Sequence, residues 1–274
     1  MKQLARTATG EPLIGDEGGF VPLSSVDPSL ETIDDALALA PDELPDPQDS
    51  SPDRMDPETI DFGTPLAEPG QLWGIGLNYT AHADDLDETR PSAPASFLQP
   101  PGVVTGPGGP IRLPPISVTD RPTAEAELGV VIGKRCRDVA VDEADSVIAG
   151  YLPVIEGTGE DIILENPRFL TASKRFDTFL VLGETIVCPT ESERSTLDNW
   201  TIRTLRDGDV FAENQVGNAR FSPQEIVSSL SQSTTIDAGS IISTGTPGAA
   251  PITPEHEVTA EIEPIGSVDS SVVR

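Results

Sequence analysis

Residues 123–134 read TAEAELGVVIGK. Leu128–Ile132 is a short apolar run rich in β-branched residues and closed by Gly133, the pattern of a strand buried on both faces. Successive side chains of a strand point to opposite faces, so Glu125 and Glu127, two residues apart, fall on the same one. Side by side next to apolar sequence, two carboxylates repel each other and are costly to ionise, so they need either solvent or a cation. Both alternatives are open on spacing alone. A hard, oxygen-binding divalent ion is the natural cation, with Mg²⁺ first and Mn²⁺ or Ca²⁺ as substitutes.

Outward from this strand the chain is β-rich. WGIGL (73–77), FLVLGETIV (179–187), TIRTLRDGDVF (201–211), SIISTG (240–245) and VTAEIEPIG (258–266) are short runs bounded by Gly, Pro or Asp. Helical patterns are fewer: 80–88, 141–150 and 222–232, the last opened by Ser222 with Glu225 at capping-box spacing. The fold class expected is β-rich α+β. Residues 1–70 differ in texture and end in an acidic, Pro-rich stretch, APDELPDPQDSSPDRMDPE (40–58). They are expected to form a small N-terminal module and linker before a main domain at 71–274.

The chain has 274 residues, enough to bury a substantial core. It carries 46 Asp and Glu against 17 Lys and Arg, a formal charge of -29, and its only lysines are Lys2, Lys134 and Lys174. Such a surface repels nucleic acid and anionic membranes. Self-repulsion on this scale is relieved when counter-ions screen it, and in molar salt the Debye length is about 3 Å. Adaptation to a salty cytoplasm is therefore expected. Cys136 and Cys188 lie far apart in no metal or disulfide pattern, which suits a reducing compartment. No apolar signal region or spanning stretch is seen, so a cytoplasmic location is expected.

Five segments carry a resemblance. GIGLNYTAHADDL (74–86), PGVVTGPGGPI (101–111), EAELGVVIGKRCRDV (125–139), SKRFDTFLVLGE (173–184) and IISTGTPGA (241–249) follow one another as do the motifs of the fumarylacetoacetate hydrolase family. The matching family patterns are GxGLNYxxHAxE, a Gly/Pro loop, ExExxxVIGK, KxFDTFxxxGP and ITGTPxG. The resemblance covers about residues 71–274 and implies a mixed β-sandwich or roll of that family's C-terminal type, built as a homodimer.

It also implies a site. The first two metal ligands fall on Glu125 and Glu127; the third, normally Asp in a GYxxxND segment, falls on Glu156 of GYLPVIE. Where the family has a Ser/Thr-Ala-Arg-Asp run this chain has GTGED (157–161), which removes a cation, and FLQP puts Gln99 where the family often has Lys. His82 and Asp85, three apart, would share a face of a helical turn, and an imidazole oriented by a carboxylate is a competent base for activating water. The matching family pair is His-x-x-Glu. Lys174 matches the family's active-site lysine, which can stabilise enolate charge. Lys134 matches too, with a structural salt bridge expected. Thr246 matches a threonine that holds a substrate carboxylate, and His256 is expected only on the surface.

The activity implied is metal-dependent hydrolysis of a C–C bond in a small-molecule 2-oxo acid, an acylpyruvate or other 2,4-dioxo acid. LENPRFLTASK (164–174) resembles instead the ENPLYLPQxK stretch of the family's 2-keto-3-deoxy-sugar-acid dehydratases, and decarboxylation or tautomerisation would use the same enolate. A non-catalytic oxo-acid-binding relative is the remaining alternative, favoured by Glu156, Gln99 and the missing Arg.

Overall fold

The computed structural model describes residues 1–49, 54–79 and 92–274. The strands are β1 (Lys2–Arg6), β2 (Pro12–Asp16), β3 (Gly19–Pro22), β4 (Leu72–Gly76), β5 (Ala95–Gln99), β6 (Val104–Thr105), β7 (Ile111–Arg112), β8 (Pro122–Ile132), β9 (Ile148–Gly159), β10 (Leu180–Leu182), β11 (Thr185–Cys188), β12 (Thr201–Arg206), β13 (Asp209–Gln215), β14 (Ile241–Ser243), β15 (Ala249–Pro251), β16 (Glu257–Glu263) and β17 (Gly266–Val273). Short helices join them: α1 (Leu23–Val26), α2 (Ile33–Leu37), α3 (Glu160–Glu165), α4 (Leu170–Lys174), α5 (Glu191–Arg194) and α6 (Pro223–Ser233). The fold is β-rich α+β, as expected.

Two mixed sheets form among the described residues. The larger runs β3-β2-β1-β11-β9-β8-β14-β4-β5, with β15 also on β8, and β10 joining β9 to β6; the smaller runs β13-β12-β16-β17-β7. Strand β8 is buried along its whole length and alternates between two cores. Ala124, Ala126, Leu128, Val130 and Ile132 pack with Ile202, Val258, Ala260 and Ile262 of the smaller sheet. Val131, on the opposite face, packs with Leu4, Ile14 and Leu152. Period-two geometry thus holds for the whole strand, and the acidic pair belongs to the face away from the smaller sheet.

The first residues share the larger sheet: β1 pairs with β11, Lys2 opposite Cys188, and β2 and β3 follow at the edge. Leu4, Ile14 and Val21 lie in the same core as Val131 and Leu152, so these three strands have backbone and core in common with the rest of the chain.

Helix α6 starts where its capping box places it. Ser222 Oγ accepts from Glu225 N at 3.2 Å and Glu225 Oε2 accepts from Ser222 N at 2.8 Å. The helix expected over 141–150 shrinks to a 3-10 turn, Val141–Ser146, because β9 begins at Ile148. Pairing of Ile148–Gly159 with β8 outweighs the local helical pattern. The helix expected at 80–88 lies outside the described residues.

Candidate metal centre and active site

Strands β8 and β9 are antiparallel with Glu125 opposite Glu156, and residues directly opposite share a face. The three carboxylates that sequence placed in two separate segments therefore meet. They are nearly sealed from solvent, with exposures of 5% for Glu125 and 1% for Glu127 and Glu156. One carboxylate oxygen from each lies within 4.8 Å of the others, a spacing on which one ion could be held.

The last residue of α4, Lys174, is buried among them. Its ammonium donates to Glu125 Oε2 at 2.9 Å, to Glu156 Oε2, and to Thr158 Oγ1 at 2.7 Å. Thr158 in turn donates to Glu125 Oε1 at 2.6 Å. Gln99 Nε2 donates to the other oxygen of Glu156 at 3.0 Å. Gln99 is thus a neutral hydrogen-bond donor at the position where the resemblance would have put a cation.

Glu127 is held from the other side. Gly245 N donates to its Oε2 at 2.6 Å from the turn after β14. Gly245 has φ +96°, and an added Cβ would lie 2.8 Å from Asn78 Cβ, so both backbone and space require glycine here. Asn78 fixes the turn, donating to Thr244 O at 2.7 Å. From the smaller sheet, the buried Thr204 hydroxyl accepts from Ala126 N at 3.0 Å and donates to Gly248 O at 3.3 Å. That one side chain ties the acidic strand to the Gly-Thr-Pro-Gly turn.

Burial, then the Glu156 charge and that of Glu125, push the Glu127 carboxyl well above the usual carboxylate range, against Lys174 and the Gly245 N–H. Burial raises Glu156 as well, and Lys174 opposes it. Burial alone would pull Lys174 down, but the three carboxylates outweigh it and keep the ammonium charged. Tyr79 is also raised, first by burial and then by Glu127.

When all three carboxylates are ionised, one ammonium leaves two negative charges in a buried site. A divalent ion neutralises them, and the all-oxygen donor set suits a hard cation. The residues therefore fit a divalent metal.

The centre forms one end of a cavity of about 240 Å³, lined also by Thr123, Thr158, Glu160, Leu170 and Thr246. This is below the range of about 300–1,000 Å³ typical for drug-sized ligands and suits a small acid. Thr246 lines the wall, and its hydroxyl is engaged in its own turn, donating to Gly248 O at 3.0 Å. His82 and Asp85 lie outside the described residues. Lys134 is exposed and has no ion pair among the described residues, so the salt bridge expected there is not formed. His256 accepts from Thr253 N on a surface turn, as expected.

Sequence reasoning passed over Thr158, Thr123, Thr204 and Gly245. The first two had a signal: counting by twos from Glu156 reaches Thr158, and back from Glu125 reaches Thr123. Thr204 had none, because its role depends on how two sheets stack. No helix among the described residues is long and apolar enough to cross a membrane.

Residues 71–273 match the family described as fumarylacetoacetate (FAA) hydrolase C-terminal. The bifunctional isomerase/decarboxylase of 4-hydroxyphenylacetate degradation from Salmonella dublin is 33% identical over 213 residues, 77% of this chain and 49% of that protein. A mitochondrial oxaloacetate tautomerase of Xenopus laevis is 27% identical over 292 residues, 99% of this chain and 89% of that protein. Among solved structures, 2-hydroxyhepta-2,4-diene-1,7-dioate isomerase from Mycobacterium marinum is 26% identical with a TM-score of 0.78, covering 100% of this chain and 99% of that one. The matched span, well over half of the chain, includes all the carboxylates of the buried centre as well as Lys174, and the chain belongs to the fumarylacetoacetate hydrolase family.

Proposed function

We propose that the protein is a divalent-metal-dependent enzyme that hydrolyses a C–C bond in a 2,4-dioxo acid. The observation that carries this reading is the cluster of three buried carboxylates around one ammonium at the end of a cavity. Glu125, Glu127 and Glu156 would hold the ion, Mg²⁺ or Mn²⁺. When bound, it supplies Lewis-acid polarisation of the acid's oxygens.

The chain's own groups do the rest. Glu127 is aimed by the Gly245 N–H. Lys174, kept charged by its carboxylate neighbours, would place positive charge near the oxygen that gains charge as the C3–C4 bond breaks. His82, oriented by Asp85, would take the proton from a water attacking the 4-carbonyl. Ile163, Leu164 and Leu170 of α3 and α4 give the cavity an apolar wall.

The relatives' names favour a second reading, proton transfer at C3 without cleavage, since isomerase and tautomerase are among them. Acetylpyruvate in D₂O with Mg²⁺, followed by NMR, separates the two. Hydrolysis adds one water and yields acetate and pyruvate in equal amounts. Deuterium entering C3 faster than in a protein-free control, with no acetate formed, would replace the first reading by the second, and no metal-dependent change over that control would remove both.

A further inference from the structure

Beyond the carboxylates the cavity changes character. Thr123 precedes Glu125 by two residues on the same face of β8, which sets its side chain about 7 Å farther along the strand. It is 2% exposed and lines the cavity, yet its Oγ1 has no hydrogen-bond partner among the described residues. Its register partner on β9 is Thr158, whose hydroxyl is already engaged by Glu125 and Lys174. A buried hydroxyl left unpaired carries a desolvation penalty that a ligand oxygen placed against it removes.

Hydrocarbon supplies much of the remaining wall: Ile163 and Leu164 of α3, then Pro167, then Leu170 of α4. Leu164 is 49% exposed, so uncovered apolar surface continues toward solvent. Among the described residues one charged side chain lines this side, Glu160 at the start of α3, and its ion-pair partner Arg121 lies 2.7 Å away with a largely exposed side chain that is not part of the lining. Lys174 is the lining cation among the described residues, and its ammonium is taken up by Glu125, Glu156 and Thr158. A carboxylate at the far end of a bound acid would meet Glu160 and hydrocarbon. An uncharged chain with one carbonyl oxygen would meet Thr123 and hydrocarbon.

We propose that the outer half of the cavity is an acyl subsite: Thr123 donates to the acyl oxygen, Ile163, Leu164, Pro167 and Leu170 take its hydrocarbon, and Glu160 rejects a second carboxylate. The substrate is then a 2,4-dioxo acid with an apolar acyl end, and dicarboxylic oxo acids are discriminated against. This rests on the oxo-acid reading of the metal centre given above.

The test compares 2-oxohexanoate with 2-oxoadipate, which share a six-carbon chain and differ only in the far carboxylate. Calorimetry on Mg²⁺-loaded protein is done at about 0.1 M salt, where the Debye length of about 10 Å leaves the Glu160 charge effective. Wild type should bind 2-oxohexanoate at least about tenfold more tightly, a difference of about 1.4 kcal/mol. Glu160→Gln should narrow that ratio by improving 2-oxoadipate. Thr123→Val, nearly the same shape, should leave 2-oxohexanoate binding in place and raise the KM for acetylpyruvate about tenfold with a smaller effect on kcat. Equal or tighter binding of 2-oxoadipate by wild type, or an unchanged KM in Thr123→Val, overturns the proposal. Oxalate, which has no tail, is the control for the underlying reading: if it fails to bind the loaded protein, the oxo-acid site itself is wrong.

Discussion

Glu125 and Glu156 are register partners across β8 and β9, and the Lys174 ammonium bridges their carboxylates. The bridge is buried, so its members depend on one another. Removing one partner of a buried pair typically costs about 3–5 kcal/mol, because the charge left behind is neither hydrated nor paired.

Lys174→Met keeps the length of the side chain and deletes the charge. The metal-free variant should lose about 3–5 kcal/mol, while a divalent ion, restoring positive charge to the same carboxylates, should recover part of it. Thermal melts in EDTA and in excess Mg²⁺ read this directly. The gap between the two conditions should be wider for the variant than for wild type, and an equal gap would show that Lys174 and the ion do not share the carboxylates.

Glu127 carries a raised carboxyl, so the sign of its pH dependence is fixed. Between the ordinary carboxylate value, about 4.3, and the raised folded value, the metal-free folded protein holds a proton that the unfolded chain has released. Stability of the metal-free protein therefore falls as pH rises through that window. Metal binding requires the carboxylate, so apparent affinity for Mg²⁺ or Mn²⁺ should rise over the same window, with proton release. Calorimetric titration at a series of pH values in buffers of different ionisation enthalpy measures both. Glu127→Gln should bind the ion at least about 100-fold more weakly, the upper end of the loss seen even for outer partners of a metal ligand. Binding with no pH slope in wild type would count against Glu127 as a ligand.

Thr204 acts from the other sheet. Thr204→Val leaves Ala126 N–H without its buried partner, at an expected cost of about 1–3 kcal/mol, while Gly248 O keeps the Thr246 hydroxyl. Metal affinity should drop with it, since both Glu125 and Glu127 flank Ala126. Urea unfolding in EDTA and metal titration give the two numbers. Unchanged values in both would mean that the hydroxyl does not position the strand.

His82 separates water attack from proton transfer. With hydrolysis as the reaction, His82→Ala should lower acetylpyruvate turnover by about 10²–10⁴, the usual contribution of a positioned base. Oxalate binding should remain, because the carboxylates are untouched. A loss smaller than tenfold would take the base role away from His82.

Several of these features were legible in the chain before any folding. Alternation along β8 places Glu125 and Glu127 on one face because that geometry is set by the backbone of the strand itself. Ser222 and Glu225 cap α6 because their reach is three residues. Ordered motifs placed Glu156 and Lys174 in the site through resemblance rather than through local physics.

Contacts between distant residues were decided by the tertiary structure. Thr158 and Glu125 are 33 residues apart and Lys174 and Glu125 are 49 apart, and no local rule says which residue of β9 faces which of β8. That register follows from burying both faces of the two long strands at once, since a shift by one residue would turn the carboxylates into the sandwich core. The pairing of Glu160 with Arg121 and the placing in the same cavity of the Thr123 hydroxyl, unpartnered among the described residues, follow from that register. The retreat of the helix at 141–150 has the same origin: pairing with β8 is worth more than one or two turns of isolated helix, whose nucleation is unfavourable without tertiary support.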